Sequence, residues 1–220
     1  MHTTALRLEN ENLFLLDQTL LPLKEKWTEI KTPDQMIKAI RELKVRGAPL
    51  IGISVGLFFA LYLKKNNLKH TEAQGLYKSL RQARPTAVNL MNELDLLWNC
   101  FLSTKSAQKT LTLAIKRAKH DIELCEKMAK NMLSLMKKSS HVLTHCNTGG
   151  LATAGIGTAL GGIFLAHKKD YKVHVFVDET RPLLQGARLT CWELEKAAVP
   201  HTLICDSMAA SLMQKKQIDQ

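Results

Sequence analysis

A cysteine set between a short strand and a glycine turn is the residue of this chain best placed to do chemistry. The stretch runs Thr144-His145-Cys146-Asn147-Thr148-Gly149-Gly150-Leu151. His141 to Cys146 reads as a strand, and Leu151 to Ala166 as a small-residue helix after it. A thiol at that junction meets the positive end of a helix dipole and free backbone N–H groups. Both favour thiolate, the reactive form of cysteine. An isolated cysteine at a strand end is more often a small core thiol. The glycine turn beside Cys146, and the polar run from Asp178 to Arg188 further on, favour a functional one.

The elements around this turn follow from periodicity. Leu13 to Leu16 and Trp27 to Ile30 read as short strands. Thr32-Pro33-Asp34-Gln35 fits a helix start, with Thr32 as cap, Pro33 in the first turn and Gln35 closing the box. Met36, Ile40 and Leu43 line one face of that helix. Arg46-Gly47-Ala48-Pro49 breaks it before an apolar helix from Ala48 to Leu63. Arg84-Pro85 ends the next helical stretch. Thr86 to Trp98 is helical again, and Ser103 to Lys138 carries a long amphipathic helix with Cys125 on its apolar face. From His141 the pattern becomes strand–helix repeated three times, with strands at 141–146, 173–178 and 202–206. Such apolar strands are buried on both faces of a parallel sheet. Ligands in these folds bind at the carboxyl ends of the strands, here Cys146, Asp178 and Asp206.

Composition narrows the function classes. A net charge of +11 is high, but the lysines are scattered and only 5% of residues are aromatic. No basic stripe interleaves with aromatics, so nucleic-acid binding is not expected; a bias toward small anions is. Five cysteines (Cys100, Cys125, Cys146, Cys191, Cys205) form no CxxC pair and none has zinc-like spacing to a histidine. That pattern predicts reduced thiols, no metal and a cytoplasmic location. The N-terminus has no signal-peptide core. The apolar run 48–63 is shorter than a membrane span needs, so no membrane association is expected.

Several segments, in order, resemble the family of 5-methylthioribose-1-phosphate isomerase and the regulatory subunits of translation initiation factor 2B. They are Asp17-Gln18-Thr19-Leu20-Leu21-Pro22, Arg46-Gly47-Ala48-Pro49, Arg84-Pro85-Thr86-Ala87-Val88-Asn89-Leu90 and His145-Cys146-Asn147. Gly155-Ile156-Gly157-Thr158-Ala159-Leu160-Gly161 and the run from Asp178 to Arg188 complete the set. The resemblance implies an aldose–ketose isomerase of methionine salvage that uses no metal or organic cofactor. It implies a catalytic Cys146, substrate contacts at Arg46, Gly47, Ala48, Arg84 and Gln185, and a homodimer. These types suit a sugar phosphate: guanidiniums for the phosphate, a glycine for close backbone approach, an amide for hydroxyls. It also implies a mostly helical domain over residues 1–138 with short strands, then the first half of a Rossmann-like α/β domain over residues 139–220.

One departure stands out. The family's catalytic aspartate lies in a following strand, in a motif resembling V-G-A-D-R, and then an asparagine–lysine pair that also contacts substrate. The sequence ends at Ile218-Asp219-Gln220, where that strand should begin. Truncation, and activity that needs the further residues, are therefore expected. Asp178 and Glu179 are expected to hold Arg181 or Arg188 in a structural ion pair, and Asp206 to orient a loop. Arg84 alone reads as a solvated turn residue, and Arg46 as a charge near a helix C-terminus. A non-catalytic regulatory subunit and ribose-1,5-bisphosphate isomerase are the alternative readings.

Overall fold

The structure, a computed structural model, describes residues 1–220. It opens with an antiparallel sheet of β1 (Leu6–Glu9), β2 (Asn12–Leu16) and β3 (Trp27–Glu29), with Leu6 opposite Leu15 and Phe14 opposite Glu29. The sequence reading did not mark β1, a four-residue strand that relies on β2 for its hydrogen bonds. Helix α1 (Pro33–Arg41) starts as expected. Thr32 Oγ1 accepts from Gln35 N, and Gln35 Oε1 accepts from Thr32 N, each at 3.3 Å. Met36 and Ile40 are buried, while Leu43 has already left the helix at φ +58°.

Helix α2 (Ala48–Asn66) is apolar on every side because it is surrounded. It packs on α4 (Val88–Thr104) and α5 (Ala107–Leu135), and α3 (His70–Arg81) closes the bundle. By length and composition α2 could cross a membrane, yet 72% of its most apolar window lies buried inside the protein. Its leucines and phenylalanines contribute about 1.5–3 kcal/mol each by leaving water. The boundary expected between Trp98 and Ser103 falls later, at Lys105, in left-handed conformation between α4 and the Ser106 cap of α5. Cys125 is buried, and burial pushes its thiol pKa up.

The second sheet is parallel, in the order β4 (His141–Thr144), β5 (His174–Asp178), β6 (His201–Ile204). Helix α6 (Ala159–Lys168) follows β4. A π-helical turn at Gly186–Thr190 leads into α7 (Cys191–Lys196), and a 3-10 turn precedes α8 (Ala209–Gln214). A second core of Val142, Leu160, Ile163, Val175, Val177 and Leu194 lies between sheet and helices. The expectation of strands buried on both faces holds for β5 only in part and fails for β6, where Thr202 and Leu203 are exposed. Beside β4, Leu143 N donates to Gln220 O at 2.8 Å and Asp219 N to His141 O at 2.9 Å. The architecture is thus a helical region with a small antiparallel sheet, joined to an incomplete Rossmann-like α/β sheet.

Candidate functional site

The cysteine turn is not followed directly by a helix. The expected helix 151–166 forms only from Ala159; residues 147–158 make a closed loop instead. Thr158 N donates to Thr148 O at 2.8 Å, and Gly149 and Gly157 form an isolated bridge. Gly157 has φ +99°, which a side chain would resist. Distant side chains claim the N–H groups a helix would have organised. Glu193 takes Gly150 N, and Asp121 takes Ala154 N, both at 2.7 Å. The dipole argument for Cys146 therefore fails.

Cys146 itself sits two residues past the end of β4, half-buried and left-handed at φ +64°. Its N–H donates to Thr180 Oγ1 at 2.8 Å, and its carbonyl accepts from Thr190 Oγ1 at 2.6 Å. The neighbouring cation is Arg46: Nη2 donates to Cys146 Sγ at 3.6 Å, and Nη1 donates to Asn147 Oδ1 at 3.3 Å.

Arg46 also lines a cavity of about 260 Å³ together with Gly47, Ala48, Arg84, Thr86 and Gln185. Five residues picked out from three separate stretches of sequence thus share one hollow, and Arg46 links it to Cys146. Arg84 is part of this cavity, not a free turn residue. Arg46 precedes α2 and does not close α1. Gly47 begins α2 at φ +85°, and a Cβ there would lie 2.5 Å from Ala152 Cα. The contact is sealed by Leu50 N donating to Ala152 O at 3.1 Å. The helix N-terminus at this site therefore belongs to α2; Pro49 has no N–H and Leu50 N is taken by Ala152 O, so what this end offers an anion is chiefly its positive dipole. Gln185 Oε1 is buried without a partner, an acceptor free for a hydroxyl donor.

The polar run from Asp178 behaves differently from expectation. Asp178 pairs with His145, whose Nδ1 donates to Oδ2 at 3.0 Å, and holds no arginine. Glu179 makes no ion pair with Arg181 or Arg188 either. Arg188 Nη2 instead donates to the carbonyls of Gln18, Thr19 and Leu21 at 3.0–3.2 Å, closing the turn after β2. Arg188 is thus spent on backbone carbonyls, and the buried Asp178 carboxylate on His145. Asp206 does orient a loop: it accepts from Thr180 N and Arg181 N at 2.8 Å, and those bonds lower its pKa. His145, Asp178 and Asp206 bring ligand atoms within 4.8 Å of one another, a set with the chemistry to hold a cation. The hydrogen bonds just given already engage all three, leaving Asp178 Oδ1 without a partner.

Glu193 was missed. It is 5% exposed, and burial pushes its carboxyl pKa up to about 7 against the pull of Asn147, Leu151, Gly150 and Arg46. The signal was a carboxylate on a buried helical face: Leu189, Thr190, Glu193 and Leu194 all point inward.

Fold and site together define an α/β protein with a thiol and an arginine-lined cavity beyond the carboxyl end of a parallel strand. Residues 44–220 match the model of the initiation factor 2 subunit family, and the chain belongs to that family. It is 48% identical over 219 residues to a methylthioribose-1-phosphate isomerase of Klebsiella pneumoniae (strain 342). It is 46% identical over the same length to one of Yersinia enterocolitica. All of this chain is covered in both cases, but it spans only 64% and 63% of those relatives. Among solved structures it is similar to 5-methylthioribose 1-phosphate isomerase of Pyrococcus horikoshii OT3, with TM-score 0.90, 31% identity and 100% and 64% of the two chains covered. It is also similar to translation initiation factor eIF-2B, subunit delta, of A. fulgidus, with TM-score 0.82, 35% identity and 100% and 67% covered.

Proposed function

We propose that this chain carries the thiol and phosphate-binding part of an aldose–ketose isomerase acting on 5-methylthioribose 1-phosphate in methionine salvage. The observation that carries the reading is the contact of Cys146 with Arg46, which lines a cavity together with Gly47, Ala48, Arg84 and Gln185. In this reading the two guanidiniums and the α2 N-terminus hold the phosphate. Gln185 Oε1 accepts from a sugar hydroxyl. Ring opening is followed by a shift of hydrogen from C2 to C1, with Cys146 as one acid/base partner. The resemblance gives the second role to an aspartate with no counterpart among residues 1–220, so turnover depends on a carboxylate supplied from outside them. The chemistry needs no metal or organic cofactor. The protein works in the cytoplasm as a homodimer, with residues 1–138 and 139–220 as its two domains here.

The relatives named methylthioribose-1-phosphate isomerase favour this substrate over ribose 1,5-bisphosphate. The thiol held by Arg46 favours catalysis over a purely regulatory role, although the similarity to eIF-2B subunit delta keeps the second reading in view. Assay of the 220-residue chain on 5-methylthioribose 1-phosphate is expected to show binding with little turnover. Full turnover would contradict the outside carboxylate. In a chain extended to the relatives' length, unimpaired turnover by Cys146→Ala would contradict the thiol's role.

A further inference from the structure

Glu193 does not line the arginine cavity and makes no hydrogen bond to the thiol, yet it controls the residue between them. Oε1 accepts from Asn147 Nδ2 at 2.7 Å and from Leu151 N at 3.4 Å; Oε2 accepts from Gly150 N at 2.7 Å. A Cβ on Gly149 would run into this carboxylate, so the glycine of the turn lets it seat. Every partner is a donor, which a carboxylate satisfies and a carboxamide cannot.

This shell decides which way the Asn147 amide faces. An amide side chain can turn over, exchanging its oxygen for its NH2 group. Here Nδ2 is held by Glu193 and by Thr190 Oγ1 at 3.3 Å. Oδ1 must then face Arg46, whose Nη1 donates to it, while Nη2 reaches Cys146 Sγ. A turned Asn147 would set NH2 against guanidinium, donor against donor, and Arg46 would lose its brace beside the thiol.

We propose that Glu193 is a positioning residue for the Cys146 site: its carboxylate fixes the Asn147 amide, so that Arg46 is held between the thiol and the anion cavity. Its consequence for catalysis rests on the isomerase reading above; the geometry does not. The charged groups around Glu193 are Arg46 on the loop side and Arg7, Glu25 and Lys196 lining the neighbouring cavity. Glu25 and Lys196 neutralise each other at 2.7 Å, and Arg7 lies over the Trp27 ring. That leaves Arg46 as the charge whose position answers to Glu193.

Peptide-resolved iodoacetamide labelling of the 220-residue chain tests this without substrate. The readout is the rate at Cys146 relative to the exposed Cys205, from pH 6 to 8.5. Glu193→Gln is expected to lower the ratio at least fivefold at pH 8. Glu193→Asp, which keeps the charge, is expected to recover at least half of the loss. An unchanged ratio in Glu193→Gln overturns the proposal, as does Glu193→Asp behaving like Glu193→Gln. Should Glu193→Gln fail to fold, the unaltered chain decides. Its Asn147 side-chain amide NMR signals are expected to shift together with the Glu193 side-chain carboxyl signal as that carboxyl titrates; Asn147 signals that stay still through the Glu193 titration overturn it. Absence of isomerase turnover leaves every one of these outcomes readable, so the two failures are distinguishable.

Discussion

Arg46 Nη2 stands 3.6 Å from Cys146 Sγ, although 100 positions separate them in the chain. The same guanidinium lines the cavity that holds Arg84 and Gln185. One side chain therefore reports on both the thiol and the anion site. Hydrogen bonds to charged groups are worth about 1.5–3 kcal/mol. Arg46→Ala is expected to weaken binding of a sugar phosphate by about 10–100-fold, measured by titration calorimetry. Arg46→Lys keeps the charge but loses the planar fork that reaches Asn147 and Cys146 together, and is expected to fall between.

Gly47 joins α2 to the cysteine loop through a contact that no side chain fits. At φ +85°, with a Cβ placed 2.5 Å from Ala152 Cα, Gly47→Ala carries both backbone strain and overlap. Each costs about 1–3 kcal/mol. A loss of at least about 2 kcal/mol in urea unfolding is expected, together with weaker phosphate binding.

The stability of the protein should carry the signature of Glu193. Its folded pKa, pushed up to about 7 from 4.5, means that the native state binds the proton more tightly than the unfolded chain. The associated stability is present below about pH 4.5 and is lost as pH climbs through about 7, by at most roughly 3 kcal/mol. Urea unfolding at a series of pH values should show this slope in the unaltered chain. The difference between it and Glu193→Gln should follow the same window, because glutamine does not titrate.

Away from the site, Arg117 covers the Glu93 carboxylate with bonds at 3.1–3.2 Å between α5 and α4. The Glu93 side chain is 8% exposed and that of Arg117 40%. Arg117→Ala is expected to cost about 2 kcal/mol by leaving a buried charge unpaired, solvent at the arginine having reduced the full buried-pair penalty. Adding Glu93→Leu should recover part of that loss in the same unfolding experiment.

What the sequence disclosed depended on how local the cause was. The Thr32–Gln35 box needs four neighbouring residues, and the apolar run of α2 needs only itself; both were legible. The three parallel strands were legible from repetition. Residues 151–158 misled because their small residues suit a helix, while Asp121 on α5 and Glu193 on α7 decide otherwise from far away in the chain. The expected Asp178–arginine pair failed for a related reason. Arg188 is claimed by carbonyls near Gln18, a demand that spacing around Asp178 does not reveal. Arg46, Gly47, Ala48, Arg84 and Gln185 were named through resemblance; their shared cavity is a property of the fold.

The most direct test of a single thiol-and-phosphate site is protection of Cys146 from iodoacetamide by 5-methylthioribose 1-phosphate, with Cys205 as the internal reference. With the sugar phosphate seated against Arg46 and Arg84, labelling of Cys146 should slow at least tenfold while Cys205 is unaffected. Equal labelling of Cys146 with and without a saturating concentration of the sugar phosphate would contradict the account.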